Sequence, residues 1–137
     1  MAQHHVQIGE VSHQTGLSQR TIRYYEEMEL VVPSARTSGG FRLYTESDVA
    51  RLQLIKRMKP LDFSLEETKE LLLTLDGLES AASAGARAEL VGRLEMYHEA
   101  AAARVAAVRE ELAVAEEFAT DLHQEIIRQR RTVHEST

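Results

Sequence analysis

The sequence predicts a mainly α-helical protein, with a helix-turn-helix and a β-hairpin in its first part and one long helix in its second part. Three observations support this fold class. Two helical segments flank a turn at Gly16, the pair Gly39-Gly40 separates two segments of extended preference, and residues 86–131 lack proline and carry apolar residues at heptad spacing. The predicted boundaries are 1–75 for the helix-turn-helix domain, 76–85 for a linker, 86–131 for the long helix and 132–137 for a tail.

The composition excludes several classes of protein. The chain has 137 residues, is 43% hydrophobic and contains no cysteine, so disulfides, thiolate metal sites and cysteine nucleophiles are excluded. No apolar stretch reaches the length of about 18 residues that a membrane span needs, and no membrane partner is expected. Residues 1–6 lack the charged and apolar regions of a signal peptide, so a cytoplasmic protein is expected.

The charge is distributed unevenly along the chain. The formal net charge is −6, yet residues 19–61 hold eight Lys or Arg against five Asp or Glu, and residues 34–45 hold two arginines and no acid. Phosphate binding depends on a local basic face rather than on the global charge. The net negative charge therefore does not exclude DNA as a partner.

The helix-turn-helix is predicted from capping and turn residues. A short helix covers residues 8–15, with Gln7 as its N-cap, and Gly16 follows as the turn residue. Ser18 is a favourable N-cap for a second helix over residues 19–28.

Two further helices are predicted in the first part of the chain. Thr45 caps one of them, with Asp48 at its third position and an apolar face formed by Val49, Leu52, Ile55 and Met58. A capping box at Ser64 and Glu67 opens the next, which is predicted to run to Leu75.

The second helix carries side chains that suit DNA. Gln19, Arg20 and Arg23 are expected on its exposed side, with Thr21 and Tyr24 nearby and Ile22 turned inward. Gln and Arg can read base edges in the major groove, whereas Thr and Tyr hydroxyls suit phosphate oxygens. The alternative interpretation is an ordinary solvent-exposed helix face whose arginines pair with Glu26 and Glu27.

The hairpin strengthens the DNA hypothesis. Arg36 and Arg42 flank its glycine pair, and Tyr44 ends its second strand. A two-stranded wing carrying arginine beside a recognition helix can hold the DNA backbone or enter the minor groove. A hairpin that served only as a connector would not need a basic run free of acids.

The long helix is predicted to form a homodimer. At about 45 residues it would be about 67 Å long, which is too long to bury its apolar stripe against a domain of about 75 residues. A second copy of the chain is the simplest partner. A four-residue insertion between Ala101 and Val105 interrupts the heptads. The residues of this heptad stripe are Leu90, Leu94, Tyr97, Ala101, Val105, Val108, Leu112, Ala115, Ala119, Leu122 and Ile126.

Several sequence blocks together resemble the MerR family of bacterial transcription regulators. They are Ile8-Gly-Glu-Val, Thr15-Gly-Leu-Ser, Thr21-Ile-Arg-Tyr-Tyr-Glu26, Leu30-Val-Val-Pro33, Gly40-Phe-Arg-Leu-Tyr44 and Leu61-Asp-Phe-Ser-Leu-Glu-Glu67. The blocks span residues 7–75 in family order and spacing.

The resemblance implies a winged helix-turn-helix domain on an antiparallel two-helix coiled coil. It also implies a homodimer that bends and untwists promoter DNA to assist RNA polymerase, in response to an unknown effector. Arg23 and Tyr24 would belong to the recognition helix, Arg42 to the wing, and Tyr44 to a phosphate contact. The complete set of predicted DNA contacts is Ser18, Gln19, Arg20, Thr21, Arg23, Tyr24, Arg36, Arg42, Tyr44, Lys56 and Lys59.

One residue departs from the family pattern. Asp62 stands where a glycine after Leu61 would suit a left-handed backbone, and aspartate tolerates that conformation less well.

The sequence identifies no effector, cofactor or catalytic site. His98 and His123, with Glu95, could approach one another across an antiparallel dimer, but solvent-exposed histidines are the simpler interpretation, and no metal or cofactor is expected. No phosphate-binding, nucleophile-elbow or zinc-protease motif is present, so the protein is not expected to be an enzyme. The competing class is an architectural coiled-coil protein that binds DNA without an effector.

Overall fold

The computed structural model describes residues 5–136. The expectation that no signal peptide precedes the fold depends on residues 1–4, which lie outside the described residues. The chain divides into two compact units, and the boundary between them along the sequence lies between His98 and Glu99. The elements are β1 (Val6–Gln7), α1 (Ile8–Thr15), α2 (Gln19–Glu27), β2 (Ala35–Arg36), β3 (Arg42–Tyr44), α3 (Glu46–Met58), a 3₁₀ turn (Lys59–Leu61), α4 (Leu65–Glu79) and α5 (Ala84–Glu135).

Side-chain hydrogen bonds fix the turn between α1 and α2. Gly16 adopts the left-handed conformation with φ of 74°, and its N–H donates to the carbonyl of Ser12. The Ser12 hydroxyl donates to the carbonyl of Leu17 at 2.6 Å, and the Leu17 N–H donates to the Thr15 hydroxyl at 3.1 Å. The predicted helix-turn-helix is confirmed, with α1 at its predicted boundaries and α2 ending at Glu27 rather than at Met28.

The hairpin belongs to a three-stranded antiparallel sheet. Strand β3 pairs with β2, with Arg36 opposite Arg42, and on its other side it pairs with β1, with Val6 opposite Tyr44. The hairpin was predicted, but β1 was not. A two-residue strand has no alternation of its own, and only its pairing with β3 defines it.

A single apolar core holds the sheet and the first four helices together. It includes Val11 of α1, Ile22 and Tyr25 of α2, Tyr44 of β3 and Leu52 of α3, each at most 2% exposed. Helix α2 turns Ile22 and Tyr25 toward this core and presents its opposite face to the solvent.

The predicted capping box of α4 and the predicted Thr45 cap of α3 are both present, and the cap of α3 is also a full capping box. Thr45 and Asp48 exchange hydrogen bonds at the start of α3, and Ser64 and Glu67 do the same at the start of α4. Asp62, just before α4, has a φ of 57°, so aspartate occupies the left-handed position that glycine would favour.

Helices α4 and α5 are longer than predicted. Helix α4 continues to Glu79, and α5 extends from Ala84 to Glu135, so only residues 80–83 separate them. The predicted linker at 76–85 and the predicted tail at 132–137 are therefore largely helical in the described residues. The predicted fold class, mainly α with a winged helix-turn-helix and a long C-terminal helix, is confirmed, while the antiparallel pairing of that helix stays a prediction.

Candidate nucleic-acid interface

The outer face of α2 is the first component of the site. Ser18 caps the helix by accepting the N–H of Thr21 at 3.0 Å. Ile22 is fully buried and faces the core. Gln19 and Arg20 are exposed on the opposite side of the helix. The cap and the inward side chains together fix which face of α2 meets the solvent.

The two arginines of α2 do not pair with the acids of the same helix. Arg23 donates from Nη2 to the side-chain oxygen of Gln19 at 3.3 Å, and Arg20 has no hydrogen bond or ion pair to any residue that the structure describes. The alternative interpretation, in which these arginines neutralise Glu26 and Glu27, is therefore not supported. Tyr24, with 46% of its surface exposed, extends the same outer face.

The hairpin tip is the second component. Gly40 has a φ of 82°, and its N–H donates to the carbonyl of Thr37 at 2.9 Å, which closes the turn. Arg36 donates from Nη1 to the carbonyl of Gly40 at 3.0 Å, so this arginine braces the tip while its side chain stays at the surface. Phe41, beside the turn, is 65% exposed. It was not among the DNA contacts predicted from the sequence.

Glu26 joins the end of α2 to the hairpin. One oxygen of its carboxylate lies 2.5 Å from Nε of Arg42, and the other accepts the hydroxyl of Tyr44. Burial raises the pKa of the Glu26 carboxyl above its usual range, and the charge of Arg42 opposes this shift, with smaller contributions from Arg36 and Arg23. The sequence suggested Glu26 only as a partner for the arginines of α2, and its contacts with Arg42 and Tyr44 were not predicted.

The position of Tyr44 corrects one prediction. Tyr44 is fully buried, and its hydroxyl donates to Glu26. A buried hydroxyl that already has an acceptor is not available to a DNA phosphate, so Tyr44 does not belong to the exposed surface. Successive residues of a strand face opposite sides of a sheet, but the sequence alone does not show which side faces the core, so it gave no indication that Tyr44 would be buried.

Lys56 and Lys59, which were also predicted to contact DNA, interact with other residues of the protein. Lys56 donates to the carbonyl of Thr15 at 2.6 Å, at the end of α1. The ammonium of Lys59 lies 5.6 Å from the centre of the Tyr25 ring, which is within range of a cation–π interaction. Both residues are exposed overall, but Lys56 is engaged in holding the fold.

Arg51 shows that counting basic residues in the sequence overestimates the number of cations on the candidate DNA-binding surface. Its Nε donates to the carbonyl of Leu30 at 2.5 Å, and its Nη1 pairs with Asp76 of α4 at 2.7 Å. Arg51 therefore connects the segment after α2 to α4 and does not contribute to the outer basic face.

The residues predicted for dimerisation fall into two groups along α5. In the first unit, Leu90, Leu94 and Tyr97 are half-buried, and the Tyr97 hydroxyl donates to Glu70 of α4 at 2.9 Å. Ala101 and Val105 are also half-buried. Farther along, the predicted residues Val108, Leu112, Ala115, Leu122 and Ile126 are exposed, together with Ala119.

Neither a metal centre nor a membrane span appears in the part of the chain that the structure describes. Among residues 5–136, no three His, Asp or Glu side chains lie together as ligands for a metal ion. No helix in the same range is both long and apolar enough to cross a bilayer.

The fold and the exposed basic face define a winged helix-turn-helix protein with a long C-terminal helix. The chain belongs to the MerR family: the model for MerR HTH family regulatory proteins matches residues 6–75, and the model described as MerR, DNA binding matches residues 49–132. The family predicted from the sequence blocks is thereby confirmed.

Curated relatives share the first half of the chain. The HTH-type transcriptional regulator ZntR of Escherichia coli (strain K12) is 49% identical over 65 residues, which are 47% of this chain and 46% of that protein. The mercuric resistance operon regulatory protein of Bacillus cereus is 44% identical over 69 residues, which are 50% of this chain and 52% of that protein. The matched segment thus spans about half the length of these relatives, which are transcription regulators rather than enzymes.

Solved structures extend the likeness in fold. A putative MerR family transcriptional regulator from Listeria monocytogenes has a TM-score of 0.63 at 23% identity, covering 95% of each chain. HiNmlR, a MerR family regulator lacking the sensor domain and bound to promoter DNA, has a TM-score of 0.60 at 21% identity, covering 80% of this chain and 79% of that chain. PbrR691 from Ralstonia metallidurans CH34, in complex with lead(II), has a TM-score of 0.51 at 30% identity, covering 78% of this chain and 82% of that chain.

Proposed function

We propose that this protein is a transcription regulator that binds promoter DNA sequence-specifically as a homodimer. The observation that carries the proposal is the outer face of α2, where Gln19, Arg20, Arg23 and Tyr24 lie exposed on a capped helix whose other side is locked into the core. Gln and Arg on such a helix match the hydrogen-bonding edges of bases in the major groove.

The hairpin supplies the second contact to DNA. Arg36 and Arg42 lie opposite each other on the two strands of the hairpin, and they carry the only charges of residues 34–45, both positive. Together with Lys59 they would hold phosphates on either side of the groove that α2 enters. Ser18 and Thr21 lie at the start of α2, where helix N-termini favour phosphate oxygens.

The dimer is supported by the apolar stripe on α5. Val108, Leu112, Leu122 and Ile126 are 44% to 57% exposed within one chain. An exposed stripe of this length at heptad spacing is typical of a coiled coil, and a second copy would bury it. Two DNA-binding domains held by one coiled coil would then meet the two halves of a near-palindromic site.

The proposed action is on promoter geometry rather than on occupancy alone. A coiled coil fixes the spacing of the two domains, so the DNA between the half-sites must bend or untwist, at a cost of a few kcal/mol that the protein contacts offset. RNA polymerase in the cytoplasm is the proposed partner at such a promoter, and an unidentified effector would bias the distorted complex.

The proposal is tested by DNA binding at varied salt concentration. Genomic fragments selected by the purified full chain would supply the operator, and fluorescence anisotropy would compare this duplex with a scrambled one. Specific binding should be at least about 10³-fold tighter on the operator, with affinity falling steeply as salt increases.

A matched pair of variants locates the interface. Replacing Arg20 and Arg23 with alanine should abolish operator selection, whereas replacing Arg130 and Arg131 near the end of α5 removes the same charge and should preserve it. Equal binding to operator and scrambled duplex by the unmodified protein would refute sequence-specific recognition. Transcription with purified polymerase then separates a regulator from an architectural protein, which would bind without changing transcript yield.

A further inference from the structure

The carboxylate of Glu26 lies within an otherwise basic surface. We propose that Glu26 is a positioning residue for DNA binding, which holds the guanidinium of Arg42 by its inner nitrogen so that the outer nitrogens face a DNA phosphate. This inference rests on the proposed function, because it concerns how the wing of a DNA-binding domain is oriented.

The nitrogens of the Arg42 guanidinium differ in their surroundings: Nε contacts Glu26, whereas the terminal nitrogens have no partner among the described residues. Its Nε is buried and lies 2.5 Å from Oε2 of Glu26, in an ion pair without a well-aligned N–H bond. The Arg42 side chain as a whole is nevertheless 35% exposed, so the exposed surface belongs to its other atoms. Its terminal nitrogens make no hydrogen bond to any residue between 5 and 136, and are therefore available to a ligand outside the chain.

The acid itself is anchored on both of its oxygens. The second oxygen accepts the hydroxyl of Tyr44, and the Glu26 side chain is only 9% exposed. Arg42 and Tyr44 are alternate residues of β3, and thus lie on the same side of the strand. One carboxylate therefore holds two points of β3 against the end of α2, and this fixes the base of the wing relative to the recognition helix.

The electrostatics also favour a positioning role. An acid near DNA phosphates weakens binding unless it is shielded or has a compensating role. Burial raises the pKa of the Glu26 carboxyl, while Arg42, Arg36 and Arg23 all act to keep it ionised. Glu26 is thus paired directly with Arg42 only, while Arg36 of β2 and Arg23 of α2 add weaker attractions that favour its charged form.

A contrasting role predicts the opposite effect. If Glu26 only competed with DNA for Arg42, removing the acid would free the arginine, and the affinity would depend more steeply on salt. If Glu26 orients Arg42, removing the acid leaves the guanidinium mobile, and its phosphate contact is lost. Because each neutralised phosphate contributes about 0.9 to the slope of log affinity against log salt, the two roles differ in sign.

The experiment measures that slope for four variants of the full chain on operator DNA. Arg42→Ala should flatten the slope by about 0.9 per subunit, and Glu26→Ala should flatten it by a similar amount. The double variant should lose no more than either single variant. Glu26→Gln retains an acceptor for Arg42 and should recover part of the slope.

The matched control is Glu27→Ala, which removes the same charge from the next residue of α2. It should leave the slope unchanged, and a thermal melt of each variant identifies any loss of folding. If Glu26→Ala does not fold, Glu26→Asp, whose shorter side chain withdraws the carboxylate from Arg42, should give the flattened slope in a folded protein.

The outcomes separate this inference from the proposed function. Unmodified protein that does not select an operator would refute the proposed function. Normal operator binding with an unchanged or steeper slope in Glu26→Ala would overturn only the positioning role. In the DNA-free protein, the NMR signal of the Arg42 Nε–H should shift in Glu26→Ala and not in Glu27→Ala, and an unshifted signal would also overturn it.

Discussion

The ammonium of Lys56 on α3 donates a hydrogen bond to the carbonyl oxygen of Thr15 at the end of α1, 2.6 Å away and 41 residues earlier in the chain. This bond satisfies a carbonyl that the helix leaves without a partner, and it places a positive charge at the negative end of the helix dipole. A lysine that the sequence assigned to DNA therefore stabilises the helix-turn-helix itself.

Lys56→Met should lower the free energy of unfolding by about 0.5–1.5 kcal/mol, because the carbonyl of Thr15 loses its donor while most of the packing of the side chain is kept. Urea denaturation followed by circular dichroism measures this change. Arg57→Met, one residue later on the exposed side of α3, is the control and should be near neutral. Unchanged stability with a flatter salt slope would return Lys56 to the DNA interface.

Arg23→Ala should weaken operator binding by about 1–3 kcal/mol and scrambled DNA by much less, because a base contact distinguishes sequences whereas a phosphate contact does not. Anisotropy titrations on both duplexes measure the difference. Lys59→Ala, which removes a charge proposed to contact phosphate, provides the comparison and should affect both duplexes equally. Equal losses for Arg23→Ala on the two duplexes would exclude it from base readout.

Tyr44→Phe should reduce stability by about 1–3 kcal/mol, because it removes a buried hydrogen bond to the charged Glu26. Thermal and chemical denaturation measure the effect. Tyr24→Phe removes an exposed hydroxyl from the same domain and should leave stability unchanged. A Tyr44→Phe protein as stable as the original, but weaker on all DNA sequences, would restore the phosphate contact that the sequence predicted.

Leu112→Asp should dissociate the proposed dimer or make the protein poorly soluble, because it would bury an unpaired charge in the coiled coil. Sedimentation velocity measures the oligomeric state. Val114→Asp is the matched control: Val114 is 67% exposed but lies about 100° around the helix from Ala115 of the heptad stripe, so this dimer should persist. A dimer lost in Val114→Asp and retained in Leu112→Asp would refute the assigned register.

Tyr97 should link stability to alkaline pH. Burial and the neighbouring Glu70 raise the pKa of Tyr97 to about 12, above a value of about 10 in an unfolded chain. Because the folded pKa is the higher one, the stabilisation by the neutral hydroxyl is complete below pH 10 and is lost as the pH rises through 12. The stability difference between the original protein and Tyr97→Phe should therefore be constant up to about pH 10 and then decline.

Urea denaturation of the original protein and of Tyr97→Phe at successive pH values measures this effect. A Tyr97→Phe difference that grows above pH 10 would contradict the hydrogen bond to Glu70.

Much of this fold could be predicted from the sequence because it depends on local interactions. Ser18, the Thr45 and Asp48 pair, and the Ser64 and Glu67 pair each bond within three residues, and all three caps were predicted. The left-handed Gly16 and Asp62 likewise depend on the backbone of a single turn. Residue identity and spacing determine such features directly, which is why the starts of α1 to α4 and the hairpin were predicted correctly.

Tertiary structure alone decided which basic residues make bonds within the protein. The bonds of Arg42 to Glu26, Arg51 to Asp76 and Lys56 to Thr15 join residues 16, 25 and 41 positions apart, and they engage three cations that composition counted as equivalent to Arg20. The sequence determined that a basic helix-turn-helix would form, because its caps and apolar stripes act locally. The sequence did not determine which group each charged side chain pairs with. An ion pair depends on the distance between two groups in space, and the packing of the core sets that distance.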